Sequence, residues 1–111
     1  MESTRLQKIN RLLQKELGEI FLFQTKAMPG TLISVSEVRV SADLSIAKVY
    51  LSIFPAERGK EIMKAITENT RTVRFDLGQR VRLQLRKIPE LQFFLDESIE
   101  YLENIDKLLK G

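Results

Sequence analysis

The sequence predicts an α+β domain in which helices cover one face of a three-stranded sheet. Three observations carry this. Apolar residues recur at spacings of three and four near the N-terminus and again after residue 60, two runs flanking residue 42 alternate with a period of two, and proline or glycine separates these blocks. The 111 residues supply one domain's worth of core.

The first element is an amphipathic helix over TRLQKINRLLQKELGEIFLF, with Leu6, Ile9, Leu13, Leu17 and Ile20 forming one stripe. Arg5, Lys8, Arg11 and Lys15 form a second stripe away from it, and Met28-Pro29-Gly30 ends the helix. Two strands follow in LISVSEVRVSADLSIAKVYLSIF. On the second, Ala47, Val49, Leu51 and Ile53 face one way while Lys48, Tyr50 and Ser52 face the other. Ala42 to Ser45 make the turn, with Asp43 suited to bond its own backbone. Apolar positions in the first strand change from odd (Ile33, Val35) to even (Val38, Val40), which predicts a bulge near Ser36-Glu37.

EIMKAITENTRT begins as a helix through Ile62, Met63 and Ile66, and the weak helix formers Asn69, Thr70 and Thr72 predict a kink at 69–72. The stretch VRFDLGQRVRLQLR reads two ways. Its apolar residues fall almost entirely on odd positions, as in a strand, but fourteen residues exceed ordinary strand length and Arg, Leu and Gln favour helix. We read a helix over 73–87, burying Leu77, Val81, Leu85 and Ile88, leaving Leu83 outside and stopped by Pro89. ELQFFLDES is the third strand. The domain is expected to span residues 1–97, and residues 98–111 form an acidic tail, helical or disordered, with Ile99, Leu102, Ile105 and Leu109 near helical spacing.

Composition narrows the function. Apolar and charged fractions of 43% and 30% are those of a soluble globular chain. No run approaches the roughly 18 apolar residues of a membrane helix, and the N-terminal residues lack a secretory h-region, so a cytoplasmic setting is expected. With neither histidine nor cysteine, the usual zinc ligands and the commonest general base are missing. Asp96, Glu97, Glu100, Glu103 and Asp106 read as a solvated helix face rather than a metal site. Neither an enzyme nor a cofactor is implied.

Charge supplies the positive signal. Residues 71–87 hold Arg71, Arg74, Arg80, Arg82, Arg86 and Lys87 against Asp76 alone, a net of +5 in a chain of net +3. The rest of the molecule is therefore slightly acidic, and the asymmetry points to a polyanionic partner. Lys8, Arg11 and Lys15 divide evenly between RNA contact and surface pairing with Glu16 and Glu19, each pair contributing about 0.2–0.5 kcal/mol. Arg39, Lys48 and Tyr50 on the outer sheet face read as a plain solvated surface.

Two stretches carry a family resemblance. VSEVRVSADLSIAKVYLS (35–52) and LRKIPELQFFLDES (85–98), with the opening helix, make the chain resemble ribosome-binding factor A over most of residues 5–98. The resemblance implies a type II KH-like fold, α-β-β-α-kink-α-β, and settles 73–87 as helical. KH domains commonly clamp nucleic acid with a GXXG loop. No two of the five glycines here stand three apart, and the resembled family replaces that loop with a helix-kink-helix. Where the family often places a small alanine near the kink, this chain has Arg71-Thr72-Val73.

The resemblance further implies a monomeric assembly factor that binds the immature small (30S) ribosomal subunit through 16S rRNA and assists late maturation near the RNA's 5′ end. No small-molecule substrate or membrane is implied. The expected RNA-binding residues are Arg71, Arg74, Arg80, Arg82, Arg86 and Lys87, with Lys8, Arg11 and Lys15. A general KH-like RNA chaperone and a protein-interaction adaptor are the alternatives.

Overall fold

In a computed structural model that describes residues 4–96, the N-terminal apolar stripe becomes the 22-residue helix α1 (Thr4–Thr25). It buries Ile9, Leu13, Leu17, Ile20 and Phe21, and Leu6 is half-buried at its first turn. The chain reverses after Thr25, whose hydroxyl donates to Leu22 O at 2.8 Å, and Gly30 takes a positive φ of 82° that a side chain would resist. The expected acidic tail at 98–111 falls outside the described residues.

β1 (Leu32–Val40) and β2 (Ile46–Phe54) form the expected antiparallel hairpin. Register shifts between Val35 and Glu37, so Ser36 is the bulge that the change of apolar phase predicts. Because of that shift, Ile33, Val35, Val38 and Val40 all reach the buried face, beside Ala47, Val49, Leu51 and Ile53. β1 is an edge strand, and α1 occupies part of its free edge. Gln14 Nε2 donates to Val35 O at 3.2 Å, and Asn10 Oδ1 accepts from Val40 N at 2.9 Å.

The hairpin turn is organised by one carboxylate. Asp43 Oδ1 accepts from Ser41 Oγ at 2.8 Å, Ser45 Oγ at 2.7 Å and Ser45 N at 3.1 Å. This cage holds the adjacent Leu44 at φ 61°, a region side chains seldom adopt. Hydroxyl donation from Ser45, then Ser41, lowers the Asp43 pKa from 3.8 to about 2.

α2 (Gly59–Glu68) and α3 (Thr70–Val81) form the crossover that lets β3 (Glu90–Leu95) lie parallel to β2. Sheet order is β1-β2-β3, and the helices pack on its apolar face to close a two-layer core. The kink falls at Asn69, at the start of the expected interval. Asn69 Nδ2 donates back to Ala65 O and Thr70 Oγ1 to Thr67 O, both at 2.8 Å, competing with the regular helical pattern. A single residue thus stands between the two helices, and no loop projects there.

Two measurements follow from this packing. Leu13→Ala and Leu77→Ala, each at a fully buried position, should lower unfolding free energy by about 2–5 kcal/mol in denaturant titration. Leu83→Ala, at a position 91% exposed, should change it by no more than about 0.5 kcal/mol. For Asp43, the unfolded chain takes up a proton before the folded one does. Its contribution is therefore complete above about pH 4 and is lost as pH falls toward 2. A carboxyl-resolved NMR titration should place Asp43 near 2, and Ser45→Ala should move it back toward 3.8.

Candidate nucleic-acid interface

The basic segment is not one continuous rod. α3 ends at Val81, whose carbonyl accepts from both Gln84 N and Leu85 N at 2.8 Å. A helix through residue 87 would run about 9 Å further along its axis. The chain must instead return to the start of β2, where Glu90 N donates to the O of Ser45, the residue just before that strand, at 2.9 Å. The helix expected over 73–87 is therefore corrected to one that stops at 81. Leu85 still reaches the core because the last turn preserves its four-residue offset from Val81. Arg82, Arg86 and Lys87 consequently stand on the connection 82–89, not on α3.

The cations separate into distinct settings. Arg74 donates from Nη2 to Ile88 O at 2.7 Å and from Nε to Pro89 O at 3.2 Å, tying α3 to the returning chain. Arg80 Nη1 lies 2.8 Å from Glu19 Oε2 and 3.2 Å from Glu16 Oε2 of α1, so its charge is matched inside the fold. The two acids read as possible partners of Lys8, Arg11 and Lys15 thus join α1 to α3 instead. Those three cations lie exposed on α1, and none makes an ion pair with a described residue.

Arg71, Arg74, Arg86 and Lys87 come together around one groove between α3 and the connection 82–89. Thr70, Phe75, Gly78, Gln79 and Ile88 complete its lining. On α3 the contributors fall in pairs four residues apart, 70–71, 74–75 and 78–79, which sets them on one helical stripe. Arg82 is exposed but does not line the groove. Sequence reasoning overlooked Phe75 because it counted in the odd-numbered apolar series. With Leu77 and Val81 turned to the core, a helical projection puts Phe75 on the opposite, charged face.

The other surfaces differ in character. On the outer sheet face Arg39 pairs with Glu37 at 2.9 Å and Tyr50 stacks on Phe94 with centroids 5.4 Å apart. A second groove between α2 and β3 has an apolar floor including Met63, Phe93 and Leu95, with Lys60 and Lys64 at its rim. Among the described residues no cluster of three carboxylates could hold a metal ion, and no helix is long and apolar enough to cross a membrane.

Element order, mixed sheet and basic groove define a type II KH-like α+β domain without a GXXG loop, carrying its positive charge on the last helix and the segment that follows. The family model for ribosome-binding factor A matches residues 5–109. The chain is 48% identical to ribosome-binding factor A of Flavobacterium johnsoniae, over all of this chain and 87% of that protein. It is 40% identical to that of Chlorobaculum tepidum, over 98% and 91%.

Its fold resembles the crystal structure of ribosome-binding factor A from Thermus thermophilus (TM-score 0.66, 27% identity, 81% of this chain and 94% of that one). It also resembles a homology model of the Thermus thermophilus factor fitted into a cryo-EM map of a 30S complex (TM-score 0.62, 30% identity, 78% and 89%). The chain belongs to the ribosome-binding factor A family.

The different settings of Arg74, Arg80 and Arg86 are separable by mutation. Arg80→Ala should reduce stability by no more than about 1 kcal/mol, because the bridge is partly exposed. Arg74→Ala, which leaves two backbone carbonyls without their charged donor, should cost about 1–3 kcal/mol. Arg86→Ala should be neutral. Thermal and denaturant unfolding of the three variants gives the ranking.

Proposed function

We propose that this chain binds the immature small ribosomal subunit through 16S rRNA and assists late maturation in the region of the RNA's 5′ end, acting in the cytoplasm without catalysing a reaction. The observation that carries the reading is the groove ringed by Arg71, Arg74, Arg86 and Lys87. Support comes from the Thermus thermophilus relative fitted into a map of a 30S complex.

Arg74 is the fixed member, because two of its donors are already directed at carbonyls. Arg71, Arg86 and Lys87 are exposed and can meet phosphate oxygens, with arginine able to do so bidentately. Arg82 and the α1 cations Lys8, Arg11 and Lys15 supply secondary contacts. Arg80, bridged through Nη1 to Glu16 and Glu19 at a partly exposed position, offers less unmatched charge than these and contributes least. Phosphate contacts orient a protein on RNA without reading sequence, so recognition rests mainly on shape and charge. Such a factor needs no cofactor. It promotes maturation by favouring one RNA conformation, to the extent that it binds that conformation more tightly than its competitor.

Co-sedimentation with immature and mature small subunits, and with deproteinised total RNA, tests this reading. Binding should favour the immature subunit, and log affinity should fall with log salt at a slope of roughly −3 to −4 for about four to five phosphate contacts. Equal affinity for all three would indicate a general RNA-binding module. Binding insensitive to salt would indicate a protein partner.

A further inference from the structure

Phe75 has no part in a contact made by phosphates alone. It is 65% exposed on the charged face of α3, while Val73, Leu77 and Val81 of the same helix face the core. Other described aromatic rings have neighbours that occupy them: Phe21 meets Phe93 edge-on, Tyr50 stacks on Phe94, and Lys26 Nζ sits over Phe23. Exposed Phe54 lies across the sheet from exposed Leu32. Phe75 has no ring or cation partner among the described residues, yet it lines a groove with four cations.

We propose that this groove takes an unpaired nucleotide, its base lying on the Phe75 ring and its flanking phosphates held by Arg71, Arg86 and Lys87. The inference rests on the RNA reading above and deepens it, naming single-stranded rather than duplex RNA as the occupant. A duplex offers phosphates to such a groove but keeps its base faces stacked inside. An unpaired nucleotide offers a phosphate and an open π-face together, which is the pairing this groove presents. An apolar protein surface would bury Phe75 but would also have to desolvate the surrounding cations.

Two residues near Phe75 shape the groove. Arg74, next to Phe75 in sequence, is fixed by its bonds to Ile88 O and Pro89 O and forms a rigid side of the groove. One turn further, Gly78 contributes no side chain, and a Cβ there would stand 3.5 Å from Ile88 Cγ1. Base–aromatic stacking tolerates any base, so this contact would add preference for unpaired RNA without adding sequence specificity.

The test measures binding of the full chain to three probes at one salt concentration: a ten-nucleotide adenosine strand, the same strand with abasic sites, and a ten-base-pair RNA duplex. Phe75→Ala should weaken binding to the adenosine strand roughly tenfold, leave the abasic strand and duplex within about twofold, and leave the salt slope unchanged. Phe75→Trp should restore the loss, which a merely structural role would not do. Equal effects of Phe75→Ala on all three probes, or none on any, would overturn the stacking proposal.

The paired variant Arg86→Glu, Lys87→Glu separates this failure from that of the underlying reading. If it abolishes binding to every probe while Phe75→Ala is silent, phosphate recognition stands and stacking is wrong. If it leaves RNA binding intact, the groove is not the RNA site and both fail. Phe75-dependent binding of an acidic peptide such as polyglutamate, with none to RNA, would likewise overturn the proposal in favour of a protein ligand.

Discussion

β3 must enter the sheet parallel to β2, and this constraint shapes the basic groove of the molecule. A hairpin could not deliver that orientation, so the chain crosses over through α2 and α3 and then returns. The return begins where Val81 O accepts two amide donors and ends where Glu90 N reaches Ser45 O. Between those points the chain passes along the charged face of α3, with Leu85 set into the core. Arg74 then clasps the returning backbone at Ile88 and Pro89. The groove is thus a by-product of sheet topology, stabilised by the same contacts that close the core.

The electrostatics follow from that layout. A net of +5 over seventeen residues suggests one uniform patch, but the fold gives its members different tasks. Arg80 binds α1 to α3 through Glu16 and Glu19, and Arg74 anchors the return of the chain. Arg71, Arg86 and Lys87 keep exposed charge at the groove, while Arg82 stands outside it. A cluster of like charges is costly to assemble, and one structural bridge together with solvent exposure of the remainder reduces that cost.

Most of the architecture was legible because local patterns and tertiary packing agree. The three- and four-residue spacing of Ile9, Leu13, Leu17 and Ile20, and the change of phase at Ser36, each have one structural solution. Asn69 could be anticipated because its side chain competes with the helix backbone. The end of α3 could not be read this way. Val81 and Leu85 keep a helical offset through a turn that is no longer helix, and the need to reach Ser45 is imposed from far away in sequence. The bridge from Arg80 to Glu16 and Glu19 spans more than sixty residues, beyond any local rule. Phe75 was within reach, but only after α3 had been taken as a helix and its outward face inspected for an aromatic among the charges.

The central claim is that RNA meets the protein at the groove between α3 and the connection 82–89. Photocrosslinking residues placed singly at positions 71, 86 and 87, and for comparison at position 48 on the outer sheet face, test it most directly when the proteins are bound to immature small subunits. The account requires efficient crosslinks to 16S rRNA from the three groove positions and little from position 48. Crosslinks concentrated at position 48, with the groove positions silent, would contradict it.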